Sequence, residues 1–248
     1  MARALAWHAR GYRFEPDILQ TSIMATISER AKAMPESPIR KLAPIADELE
    51  ANGVKVYRLN IGQPKVACPP EAINAMKGVD MKILEYSPSQ GYLHHRQKLA
   101  EYLAKFNINV IPDDCVITVG GTEAVLYVFM SCLNPGDEII VPEPAYANYM
   151  ALAVSEGAVI RTISTTIEEG FKLPPMEQFE KLINEKTKAI LICNPNNPTG
   201  YLYSEKEILQ IRDMVKKYDL YLFSDEVYRK FIYTSSPYIS VMHLEGIG

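Results

Sequence analysis

The sequence predicts an α/β fold in which helices flank a mostly parallel sheet. Three observations carry this. Short apolar runs rich in Val and Ile recur from Cys115 onward, each bounded by Gly, Pro, Asn or Asp. Amphipathic stretches of helical length lie between most of them, and strands alternating with helices imply parallel pairing with helices on both faces. The chain has 248 residues, 48% of them hydrophobic and 23% charged, enough to bury a core without disulfides or metal staples.

The strands expected in order are 115–119, 138–141, 159–163, 189–193 and 220–224. Helices are expected at 122–133, at 146–156, at 176–186 after Pro174-Pro175, and at 204–217. Ser204 followed three residues later by Glu207 is a capping box. Earlier, 70–77 and 93–106 read as helices, the second with Leu99, Tyr102, Leu103 and Phe106 on one face. The Pro-containing stretch 36–66 is expected to hold a helix at 45–52 and a short strand at 56–60.

The formal net charge of −4 argues against a nucleic-acid surface, which wants a clustered basic face. No apolar run reaches the roughly 18 residues that span a bilayer. Cys68, Cys115, Cys132 and Cys193 form no C-x-x-C pair, and no histidine sits at ligand spacing from them. Free buried thiols in a reducing cytoplasm are the simplest reading. Residues 1–23 carry Arg3, Arg10, Arg13 and Trp7 but also Glu15 and Asp17, and lack a secretory apolar core. They are expected to be an extension outside the fold.

In a parallel sheet, ligands sit outside the carboxyl ends of the strands. Three such places are unusual here. In VITVGGTEAVLYVF, Gly120 and Gly121 permit a tight turn, and the helix start with the Thr122 hydroxyl can hold a phosphate. Taken alone, that motif is better explained by an ordinary strand–turn–helix corner. In ILICNPNNPTG, prolines fix φ and asparagines offer amides directly after a buried strand, where a plain turn is the alternative. In LYLFSDEVY, Asp225 ends an apolar strand, where a carboxylate is costly unless paired, and Tyr228 follows within one turn. A helix N-cap is the alternative for Asp225.

Together these loops resemble the fold-type I pyridoxal phosphate enzymes, specifically class I/II aminotransferases of the aspartate aminotransferase type. The resemblance runs from about Met24 to the last residue. It implies that 24–66 belong to a small domain and 67–248 to the cofactor-binding large domain. It implies a phosphate cup from Gly121, Thr122 and the Glu123 backbone N–H, with Tyr146 stacked on the pyridine ring. Asn197 and Tyr228 would contact the cofactor's phenolic oxygen, Asn197 also the substrate carboxylate, and Gly62 in LNIGQP would lie beside that carboxylate. Asp225 would partner the pyridinium nitrogen, keeping the ring a good electron sink. Tyr86 in EYSPSQGY would reach the phosphate of a neighbouring subunit, implying a homodimer. The implied substrates are an amino acid and a 2-oxo acid.

The resemblance also implies a Schiff-base lysine in an S-x-S-K type segment some tens of residues after the D-E-V-Y motif. Only twenty residues follow Tyr228, and Lys230 is too close to Asp225 to serve. The lysine is therefore expected beyond Gly248. The chain is expected to be an N-terminal part, with an open sheet edge and little transaminase activity alone. Alternatives are a carbon–sulfur lyase or aminocyclopropane-carboxylate synthase-like enzyme, or a non-catalytic cofactor-binding module. His94 and His95 are expected at the surface, Tyr92 and Tyr149 as packing residues, and the Glu205–Glu207 and Lys216–Lys217 charges on a solvated helix face.

Overall fold

The structure, a computed structural model, describes residues 26–62, 66–83 and 85–247. The expected extension at 1–23 and part of the LNIGQP motif lie outside these residues.

The centre is a four-stranded sheet of β1 (Glu138–Glu143), β2 (Val159–Ser164), β3 (Thr187–Cys193) and β4 (Tyr221–Asp225), in the order β2-β1-β3-β4. Every pairing is parallel, and the β3–β4 register sets Ala189 against Tyr221 and Cys193 against Asp225. The connections are helical: α6 (Asn148–Glu156) between β1 and β2, α7 (Met176–Glu180) between β2 and β3, and α8 (Glu205–Tyr218) between β3 and β4.

Side chains alternate across the strands. Ile140, Ile190 and Ile192 face one layer, where Ile208, Ile211, Met214 and Val215 of α8 and Phe179 of α7 complete a buried cluster. Ile139, Val141, Ala189 and Leu191 face the other. There they meet Phe129 and Leu133 at the end of α5 (Gly121–Cys132), and Tyr149 and Ala153 of α6. Ser204 caps α8, its hydroxyl accepting from the Glu207 N–H while Glu207 accepts from the Ser204 N–H, so the capping box is present. At the start of the sheet, Glu138 accepts from Arg161 Nε at 3.0 Å and from Asn184 at 2.8 Å, tying β1 to β2 and to the turn before β3. Those bonds hold the Glu138 carboxyl below the usual carboxylate range.

The helices α1 (Glu29–Ala33), α2 (Ala43–Ala51), α3 (Pro70–Lys77) and α4 (Leu93–Ala104) precede the sheet. On α4, Leu99 and Leu103 are half-buried, as is Phe106 just after it, whereas Tyr102 is exposed.

The expected strand at 115–119 forms no ladder among the described residues. A strand needs a partner for its backbone groups. Here the Ile117 N–H goes to the Gln90 carbonyl, and a Cβ on Gly91 (φ +89°) would lie 2.6 Å from Ile117. Val119 remains 91% exposed. The stretch 56–60 is likewise no strand, ending in a turn next to the cation Arg58, which grips Asp47 and Glu50 of α2. The helix expected at 176–186 stops at Glu180, because the Asn184 N–H is taken by Thr187 and the chain turns into β3. The helix expected from Tyr146 starts two residues later, leaving Tyr146 in the loop.

Candidate functional site

The carboxyl ends of β3 and β4 and the start of α5 border one cleft of about 170 Å³. Its walls include Gly121, Thr122, Tyr146, Asn197, Asp225 and Tyr228. Six of the residues singled out in the sequence therefore meet in one place.

Each arrives there for a local reason. Gly120 precedes α5 with φ +82°, a conformation that suits glycine, and it offers no capping side chain. The first N–H groups of α5 are thus left uncapped beside the Thr122 hydroxyl. Glu123 turns its carboxylate back to the Val119 N–H and the Tyr127 hydroxyl and does not itself line the cleft.

In the loop after β3, most amide groups are consumed internally. Asn194, fully buried, takes the Tyr203 N–H on its side-chain oxygen and gives its side-chain amide to the Ile239 carbonyl. Its backbone N–H donates to the Asp225 carbonyl at 2.9 Å, joining this loop to the end of β4. Asn196 accepts from both the N–H and hydroxyl of Thr199. Asn197 alone turns its amide to the cleft, donating to the Tyr228 hydroxyl at 3.3 Å. The peptide bonds before Pro195 and Pro198 are cis.

Asp225 is the last residue of β4 and is followed by a turn, not a helix, so it is no N-cap. One carboxylate oxygen accepts the Val227 N–H at 3.2 Å, and the other accepts the Tyr149 hydroxyl at 2.6 Å. Behind it lies the buried Cys193, whose thiol burial and the Asp225 charge push up to about 11. Burial also pushes the Tyr228 phenol up, so it stays a donor at neutral pH.

The remaining residues sit elsewhere. Gly62 lines a larger groove with Tyr146 and Asn148, not the cleft itself. Tyr86 is fully exposed and does not approach the cleft of its own chain. The Lys230 ammonium rests 3.6 Å from the Phe106 ring centroid, and no described lysine lines the cleft. His94 and His95 are exposed on α4. Two expectations need correction. Glu207 is no solvated charge, since it caps α8 and accepts from Tyr201 and the Leu173 N–H. Tyr92, expected to pack, is 43% exposed. Tyr149 packs as expected, and its hydroxyl is in addition committed to Asp225, 76 residues away. An aromatic at a helical core position signals burial; only tertiary pairing shows where its hydroxyl goes. Of the four thiols, Cys115 and Cys193 are buried, while Cys132 is half-buried and Cys68 exposed. Among the described residues no helix is long and apolar enough to cross a membrane.

Known proteins resemble this chain in sequence and in fold. The model of the family "Aminotransferase class I and II" matches residues 54–246. The chain is 32% identical over 212 residues to the aspartate/prephenate aminotransferase of Thermus thermophilus, covering 85% of this chain and 55% of that protein. It is 33% identical over 224 residues to the aspartate aminotransferase of Pyrococcus abyssi, covering 89% and 56%. The solved aspartate aminotransferase of Thermotoga maritima superposes with a TM-score of 0.81 at 30% identity, covering 87% of this chain and 58% of that one. The alanine aminotransferase of Pyrococcus furiosus does so with 0.80 at 35%, covering 87% and 56%. The chain thus spans a little over half the length of the relatives it matches. With the family model running across both cleft-forming loops and the start of α5, the chain belongs to the class I and II aminotransferases.

Proposed function

We propose that the cleft holds pyridoxal 5'-phosphate and that the protein built on these residues transfers an amino group between an amino acid and a 2-oxo acid. One observation carries the reading: a carboxylate, an amide, a phenol, an aromatic ring and an uncapped helix start converge on one cleft. The names of the relatives support it.

The donor set suits this group. The uncapped N–H groups of α5, the Glu123 N–H and the Thr122 hydroxyl would take the phosphate. A Cβ at Gly121 would meet nothing within 4 Å, so the turn leaves room on that side. Tyr146 would stack on the ring. Asn197 and Tyr228, already joined to each other, would donate to the ring oxygen. Asp225 would hold the proton on the pyridine nitrogen. When bound, the cofactor supplies an electron sink for charge developing next to the amino group. Gly62 would lie beside the substrate carboxylate, and the exposed Tyr86 would reach a second subunit of a homodimer. Residues 24–66 would belong to a small domain and 67–248, with the sheet, to the large one. No described lysine lines the cleft. The covalent linkage is therefore assigned to none of them, and the chain alone would transfer little or no amino group.

Titration of the 248-residue chain with pyridoxal phosphate tests this. Binding is expected to be reversible, with no chromophore fixed by borohydride. Asp225→Asn is expected to weaken it about 10- to 100-fold, the worth of a hydrogen bond to a charged group. No binding, or binding indifferent to Asp225→Asn, would overturn the reading.

A further inference from the structure

Tyr149 is 1% exposed and lies in the first turn of α6. It touches two residues of the cleft at once. Its hydroxyl donates to one oxygen of Asp225 at 2.6 Å. Its ring meets the Tyr146 ring edge-on, with centroids 5.4 Å apart at 84°. Among the described residues, each of those two side chains has one further hydrogen bond. The second Asp225 oxygen takes the Val227 N–H, and the Tyr146 hydroxyl accepts from the Asn148 amide at 2.8 Å.

This arrangement determines direction. A carboxylate held by one oxygen can turn about its Cβ–Cγ bond, whereas one held by both presents a fixed edge. An edge-on aromatic neighbour likewise restricts the tilt of Tyr146. Burial, the adjacent Cys193 and the Asp225 charge all push the Tyr149 phenol far above its ordinary value. The phenol therefore remains a donor and leaves the negative charge on Asp225. Tyr149 does not line the cleft itself.

We propose that Tyr149 is a positioning residue, aiming the Asp225 carboxylate and the Tyr146 ring at the pyridine ring of pyridoxal phosphate. The proposal rests on the cofactor reading above. It assigns one role to a side chain that packing alone would account for only in part.

The test is a double-mutant cycle in the full 248-residue chain, read as the dissociation constant for pyridoxal phosphate. Tyr149→Phe keeps the ring and removes the donor. It is expected to weaken binding about tenfold in the parent and less than twofold in the Asp225→Asn background, because its effect passes through that carboxylate. The induced circular dichroism of the bound chromophore is expected to fall with it. Equal weakening in both backgrounds would mark a merely structural tyrosine, and an unchanged dissociation constant would remove any role; either overturns the proposal. If the parent binds no pyridoxal phosphate, the cofactor reading itself falls. A second measurement needs no change at position 149. An exchange-protected Tyr149 hydroxyl proton is expected in the proton NMR spectrum of the free chain and is expected to vanish in Asp225→Ala, which removes the acceptor. Its absence from the parent, or its persistence in that variant, would also overturn the assignment.

Discussion

The two faces of the sheet differ in how completely they are covered. On the α8 side, Ile140, Ile190 and Ile192 are closed over by a helix whose apolar positions Ile208, Ile211, Met214 and Val215 repeat at helical spacing. On the α5–α6 side, the core around Phe129 and Leu191 opens toward β4 into a groove of about 430 Å³ bordered by Val125, Val128 and Phe223. β4 has no second neighbour among the described residues. The closed face holds the strands together. The open face carries Tyr146 and Tyr149, two of the residues that shape the cleft. Rigidity and chemistry are supplied from opposite sides of the same four strands.

Neighbouring residues on β3 give the strongest test of that contrast. Ile190 and Leu191 are both buried but point to opposite faces. Ile190→Ala is expected to cost about 4–5 kcal/mol, because the α8 side cannot collapse into the cavity, and Leu191→Ala about 2–3 kcal/mol, because the open groove lets its lining relax. Chemical denaturation of both variants checks the order; its reversal would break the comparison.

A smaller effect is expected at the start of the sheet. Glu138→Gln is expected to cost about 1–2 kcal/mol near neutral pH, discounted because Arg161 is half exposed. The folded-state value of Glu138 is depressed, so its contribution is present above the ordinary carboxylate value and is lost as pH falls through the folded one. Melting temperatures of parent and variant should therefore converge in acid, and a gap that persists there would assign the loss to packing. The smallest effect is expected at Ser204→Ala, about 1 kcal/mol, with pyridoxal phosphate affinity unchanged. Altered affinity would show that the α8 face reaches the cleft after all.

Much of this architecture was legible in the residues. The alternation of Val- and Ile-rich runs with helical stretches led to the parallel sheet, and α3 occupies the expected 70–77. Ser204 and Glu207 cap α8 as their spacing demanded. Local chemistry sufficed in these cases. It did not suffice for 115–119, since an apolar run specifies burial but not the partner that makes it a strand. Glu207 was misjudged for a related reason, and at Tyr149 the expected packing held while the partner of its hydroxyl stayed out of sight. Charge at a helix start looks solvated, and an aromatic in a helix looks like core, until the fold shows what lies across from each. At the cleft, the motif residues Gly121, Asn197, Asp225 and Tyr228 were all visible in advance. What the residues could not show is that Asn194 and Asn196 are spent within their own loop, leaving Asn197 free to turn outward.

The pairing of Cys193 with Asp225 at the end of β3 and β4 has a last consequence. Strand side chains switch sides at every position. Were β4 to slip by a single place along β3, the acid group would swing beneath α8 and Ser224 would take its seat. The Asn194–Asp225 main-chain bond spans the very step where such sliding would begin. Strand alignment, more than any loop, therefore decides whether this molecule has a charged floor to its cleft.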